Sequence, residues 1–125
     1  MFSLNSQDRY LLYHQPCDMR KSFDGLSGLV TNELRRSPMS GEVFVFLNKR
    51  RTHLKLLRWE PGGFVQYYKR LEKGTFTPPL TLENGRMSWP ELVLMIEGIQ
   101  VKKSVQKPRY SLSKKTENSA ENEGK

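Results

Sequence analysis

The stretch Val43-Phe44-Val45-Phe46-Leu47-Asn48-Lys49-Arg50-Arg51-Thr52-His53-Leu54-Lys55-Leu56-Leu57-Arg58-Trp59-Glu60-Pro61-Gly62-Gly63-Phe64 decides the fold. Its first five residues form an unbroken apolar run rich in β-branched and aromatic side chains, the pattern of a central strand covered on both faces. Asn48 to Thr52 reads as a basic loop. Leu54 to Trp59 then reads as a second strand, Glu60-Pro61-Gly62-Gly63 as a turn, and Phe64 to Leu71 as a third strand. Connections this short between strands predict an antiparallel meander.

Upstream, Tyr10 to Tyr13 predict a short strand that ends at Gln15-Pro16. Asp18 is positioned as an N-cap, and Phe23, Leu26, Val30 and Leu34 then recur at spacings of three and four, predicting a helix that stops at Ser37-Pro38. Gly25 and Gly28 inside it imply either close packing against another element, with a sheet the favoured neighbour, or a weak helix. Downstream, Ser88 and Glu91 form a capping box before the apolar positions Leu92, Val93, Met95 and Ile96, so a second helix is expected to end near Gly98. The expected class is α+β: a small antiparallel sheet, made of the three-strand meander plus the short N-terminal strand, packed with two helices. The 125 residues suit one domain. Its expected extent is 1–100, followed over 101–125 by a disordered tail, basic and then acidic, with too few apolar groups to offset the entropy of ordering.

The formal charge is +8, and it is unevenly distributed. Residues 1–42 and 77–101 are neutral or mildly acidic. Residues 43–76 carry Lys49, Arg50, Arg51, Lys55, Arg58, Lys69, Arg70 and Lys73 against Glu60 and Glu72, while 102–115 are basic without any acid. The first basic segment also contains Trp59, Tyr67, Tyr68 and four phenylalanines, so it folds while remaining cationic. Strand alternation sets Lys55 with Leu57 and Trp59, and sends Lys69 and Arg70 to opposite sides. No sheet face is uniformly basic, and the cations gather at strand ends and loops. With Arg20 and Lys21, which follow Asp18, the ten residues Arg20, Lys21, Lys49, Arg50, Arg51, Lys55, Arg58, Lys69, Arg70 and Lys73 are the candidates for nucleic-acid contact. Whether the loops 48–52 and 69–73 share one end of the sheet depends on strand order.

Several classes are set aside. Apolar runs reach five residues where a membrane span needs about 20, and no amphipathic basic helix is present, so no membrane partner is expected. No secretory signal is evident at the N-terminus, and the lone Cys17 fits a reducing cytoplasm. One Cys with His14 and His53 does not fill a zinc site, so neither metal nor other cofactor is expected. The carboxylates Asp18, Asp24, Glu42, Glu60 and Glu72 have simpler roles than a two-metal centre, and no catalytic residues are assigned.

The blocks Asp18-Met-Arg-Lys-Ser-Phe-Asp-Gly-Leu26, Phe44-Val-Phe-Leu-Asn-Lys-Arg50, Leu54-Lys-Leu-Leu-Arg-Trp59, Gly63-Phe64, Tyr68-Lys-Arg-Leu-Glu-Lys-Gly-Thr-Phe76 and Glu97-Gly98-Ile99 resemble the Orf2-like accessory proteins, often labelled TnpB, of the insertion-sequence-66 family. The resemblance covers roughly residues 1–100. It implies a bacterial mobile element in which a small non-catalytic protein accompanies a large transposase and supports transposition. Relatives often carry a glycine where this chain has Arg51-Thr52. Two readings follow. In one the protein binds DNA of the mobile element electrostatically; in the other it is an adaptor that docks on the transposase of the same element without DNA affinity of its own. Oligomeric state is left open by the sequence.

Overall fold

The structure, a computed structural model, describes residues 3–97. Its elements are β1 (Tyr10–Leu12), α1 (Phe23–Asn32), β2 (Val43–Leu47), β3 (His53–Glu60), β4 (Gly63–Arg70), β5 (Arg86–Met87) and α2 (Trp89–Ile96). The tail expected over 101–125 lies outside the described residues.

The strands make one sheet in the order β4-β3-β2-β1-β5. The meander is as expected: β2 pairs antiparallel with β3 through Phe44↔Leu57 and Leu47↔Leu54, and β3 with β4 through Trp59↔Phe64 and His53↔Arg70. Gly62, at φ +97, takes the left-handed position in the turn between them. The sheet differs from an all-antiparallel one at β1, which runs parallel to β2 with Leu12 opposite Val45. A parallel pair needs a long crossover, and α1 supplies it. The two-residue β5 is an addition that the sequence reading did not contain; it pairs antiparallel with β1 through Tyr10↔Met87. The turn before it brings Gly85 so near β1 that a Cβ there would lie 2.7 Å from the Leu12 carbonyl oxygen.

Both faces of the sheet are covered, so all five residues of β2 are buried. On one face Leu26 and Val30 of α1 pack with Leu11, Tyr13, Phe44, Phe46 and Leu57. On the other, Leu92, Met95 and Ile96 of α2 pack with Val43, Val45, Leu54 and Leu56.

The helix starts follow local hydrogen bonding. The capping box of α2 is formed: the Ser88 N–H donates to Glu91 Oε1 at 2.8 Å, and the Glu91 N–H donates to Ser88 Oγ at 3.2 Å. Helix α1 begins later than expected, with Ser22 as N-cap. Asp18 instead closes a turn of its own, its Oδ1 accepting the Arg20 N–H at 2.9 Å and its carbonyl accepting the Lys21 N–H at 3.0 Å. The α1 glycines do not serve sheet packing. A Cβ at Gly25 would meet the Lys21 side chain at 3.0 Å, and one at Gly28 would find only the Asn32 amide at 4.0 Å.

Candidate nucleic-acid interface

Strand order settles which end of the sheet each basic loop occupies. Because β2 runs into the 48–52 loop and β4 returns antiparallel to β3, Arg70 arrives opposite His53. The chain beyond β4 then lies along the loop: the Leu71 N–H donates to the Thr52 carbonyl at 2.9 Å and the Phe76 N–H to the Arg51 carbonyl at 2.7 Å. Lys49, Arg50 and Arg51 thus share one end of the sheet with Arg70 and Lys73, and all five are exposed.

The loop is held from within by Asn48. Its Oδ1 accepts the N–H groups of Thr52 and His53 at 2.9 and 3.0 Å, and its Nδ2 donates to Thr52 Oγ1 at 3.1 Å. The Arg51 N–H donates to the Asn48 carbonyl at 3.0 Å, closing a turn that puts Arg51 at φ +61. That left-handed conformation costs a non-glycine residue roughly 1 kcal/mol or more, so a glycine would be the unstrained residue at this position. Here it carries a cation instead. A cavity of about 150 Å³ opens beside the loop, lined among others by Tyr13, His14, Lys49 and Arg51.

Among the described residues Lys49, Arg50, Arg51 and Lys73 form no side-chain ion pair, whereas Arg70 pairs with Glu72 at 2.8 Å. Glu72 therefore answers one cation of the group. Four guanidinium or ammonium groups remain directed to solvent at one end of a rigid sheet, an arrangement suited to neutralising successive backbone phosphates.

The other candidates are engaged elsewhere. Lys55 is 4% exposed. Its Nζ donates to the carbonyls of Met19 and Lys21, both at 2.7 Å, and lies 4.7 Å from the centre of the Tyr68 ring. It is a strut that ties the chain before α1 to the sheet, and of the candidates for nucleic-acid contact it is one that the fold does not present to solvent. Arg58 is also largely enclosed, reaching Asp8 at 3.1 Å, Glu60 at 3.2 Å and the Ser3 carbonyl at 2.6 Å. Lys69 donates to the Ile96 carbonyl at 2.7 Å, at the C-terminal end of α2, where a cation complements the helix dipole. Arg20 forks onto Asp18 with contacts of 2.7 to 3.1 Å, and these hydrogen bonds hold the Asp18 carboxyl down to about 2. Lys21 is exposed beside it. Trp59 packs edge-on against Phe64 at 5.1 Å at the opposite end of β3, remote from the loop cations.

Cys17 is buried, and burial pushes its thiol up, away from a nucleophile's range. Among the described residues no three His, Cys, Asp or Glu side chains converge as a metal site would require, and no helix is long and apolar enough to cross a membrane. A second cationic cluster, Arg9, Arg35, Arg36 and Arg86, lines two adjoining cavities at the other end of β2. No local signal joins them, since they come from three separate segments: Arg9, Arg35-Arg36 and Arg86.

Residues 8–106 match the family of IS66 Orf2-like proteins. An uncharacterized protein of Sinorhizobium fredii, y4jC, is 34% identical over 101 residues, which cover 80% of this chain and 86% of its own. A second protein of that organism, y4hO, is 34% identical over 85 residues, covering 66% of this chain and 72% of its own. No solved structure gives a significant match.

Proposed function

We propose, from the premise that the chain belongs to the IS66 Orf2-like family, that this transposition-associated accessory protein works without catalysis by holding the mobile element's DNA electrostatically. The observation that carries the reading is the juxtaposition of Lys49, Arg50 and Arg51 with Arg70 and Lys73 at one end of the sheet, with Glu72 answering Arg70. Cations presented on a loop clamped by backbone hydrogen bonds contact phosphates without a large ordering cost, and such contacts fix position without reading base sequence.

The test is a titration of the full chain with duplex DNA at two salt concentrations, repeated with the K49Q/R50Q/R51Q variant. Binding is expected to weaken as salt rises, by about 0.9 log units per log unit of salt for each phosphate contacted, and the variant is expected to show a shallower dependence. Absence of binding at low salt, to element ends and random duplex alike, overturns the reading.

One observation favours docking on the transposase as a second reading. Strand β4 lies at the sheet edge over eight residues and bears Tyr68, 52% exposed. As the last strand of the sheet among the described residues, it offers an edge that suits strand addition by a partner. Co-purification of the two proteins from the same element, with and without DNA, tests it; failure to associate in both conditions rejects it.

A further inference from the structure

The end of β2 remote from the basic loop carries its own cationic groove. Two adjoining cavities of about 630 and 500 Å³ share Asp8, Arg9, Arg36 and Glu42 in their walls; Arg35 lines the first and Arg86 the second. The groove forms because Arg9 precedes β1, Glu42 precedes the parallel β2, Arg35 and Arg36 follow α1, and Arg86 opens β5. Parallel pairing of β1 with β2 sets the entrances of both strands side by side.

Its two carboxylates are already committed. Glu42, 8% exposed, accepts a fork from Arg36 at 2.9 and 2.7 Å and a third hydrogen bond from Ser40 Oγ at 3.0 Å. Asp8 lies 3.1 Å from Arg58. Arg36 and Glu42 therefore form a wall, and neither acid neutralises the remaining arginines by direct pairing. Arg9, Arg35 and Arg86 are exposed and make no ion pair among the described residues. Arg35 has two further marks of a placed side chain. Its backbone sits at φ +56, where glycine normally ends a helix, and its Nε donates to the Asn32 carbonyl at 3.2 Å.

We propose that this groove is a second phosphodiester-binding site, in which Arg9, Arg35 and Arg86 grip a nucleic-acid backbone over the Arg36–Glu42 wall. Guanidinium groups match phosphate oxygens in paired hydrogen bonds, and three of them along a groove of two joined cavities suit a run of phosphates better than one small anion. The site faces away from the 48–52 loop by at least the length of β2, roughly 17 Å for five residues. One molecule thereby holds two separate stretches of backbone. Binding at the groove itself does not require the loop, because its residues are distinct, whereas the hold on two stretches at once rests on the loop reading.

The experiment compares the full-length protein with the R9Q/R35Q/R86Q and K49Q/R50Q/R51Q variants by anisotropy of a labelled random-sequence duplex. Thermal melting serves as the folding control, and the R9Q/R86Q pair, which leaves the helix end intact, replaces the triple variant if that melts early. Energy transfer between donor- and acceptor-labelled duplexes reports simultaneous binding of two stretches. The groove variant is expected to melt like the parent, to lose energy transfer, and to show a salt slope shallower by up to about 2.7, or up to ~40-fold less loss of affinity between about 50 and 200 mM salt. Parental slope and energy transfer in the groove variant overturn the groove while leaving the loop reading intact. Loss of all binding in the groove variant alone supports the groove and counts against the loop. Saturation of the three arginines' Nε resonances by inorganic phosphate without response to duplex identifies a small-anion site and overturns the nucleic-acid assignment; a parent that binds no duplex at all overturns both sites.

Discussion

Lys55 holds its charge in the sheet with two backbone carbonyls and an aromatic face, and no carboxylate pairs with it among the described residues. Lys55→Met keeps the stem and removes both hydrogen bonds, so a loss of about 2–3 kcal/mol is expected in denaturant unfolding. The salt dependence of DNA binding is expected to stay unchanged, which separates a strut from a contact residue. The clue was present in the strand pattern: Lys55 shares a face with Leu57 and Trp59, and a lysine on a packed face is buried. Tyr10 carries a pH signature. Its hydroxyl donates to the Asn5 carbonyl at 2.6 Å, and burial above all, with the Asp8 charge second, pushes it from 10.0 up to about 12. Because the folded value is the higher one, this stabilisation is present below pH 10 and is lost as pH rises from 10 towards 12. The gap corresponds to roughly 3 kcal/mol at most. Tyr10→Phe is expected to flatten the alkaline fall in stability over that window, as read from melting temperature against pH.

At the scale of elements, legibility followed the length of the pattern. The meander and α2 were readable because each carries its own periodicity and its own punctuation, Glu60-Pro61-Gly62-Gly63 in one and Ser88 with Glu91 in the other. Strand β5 was not, because two residues contain no alternation; the turn residues Asn84 and Gly85, both at positive φ, were the available signal. The parallel direction of β1 was hidden for a related reason: three residues pair equally well either way, and the partner is chosen by the crossover. Part of the candidate interface was legible as a charge run, Lys49 to Arg51. The arginine groove was not, because its members lie in segments whose charges nearly cancel along the chain and separate only in space. Helix α1 shows the opposite case, a residue whose expected packing role is empty. With open space around its Cβ position, Gly28→Ala is expected to raise stability by about 0.5–1 kcal/mol, measured by denaturant titration.

For the molecule as a whole, the two apolar clusters on either side of β2 make both helices necessary. A chain ending at residue 85 lacks Met87, Leu92, Met95 and Ile96, so one sheet face loses its covering helix. Such a truncation is expected to lose its cooperative thermal transition, and a sharp melt would show that the α1 side suffices alone. The same architecture imposes an order of events during synthesis. The hairpins β2–β3 and β3–β4 close between neighbours, whereas β1 lies between strands made much later. Local pairings form fast and distant ones wait for chain to become available. As the polypeptide leaves the ribosome, β1 therefore appears first and is the last strand to gain its second neighbour, because Met87 must emerge before that side is paired. Until then the nascent chain carries a strand with one open edge, and the interval most open to misassociation falls between translation of β2 and translation of β5.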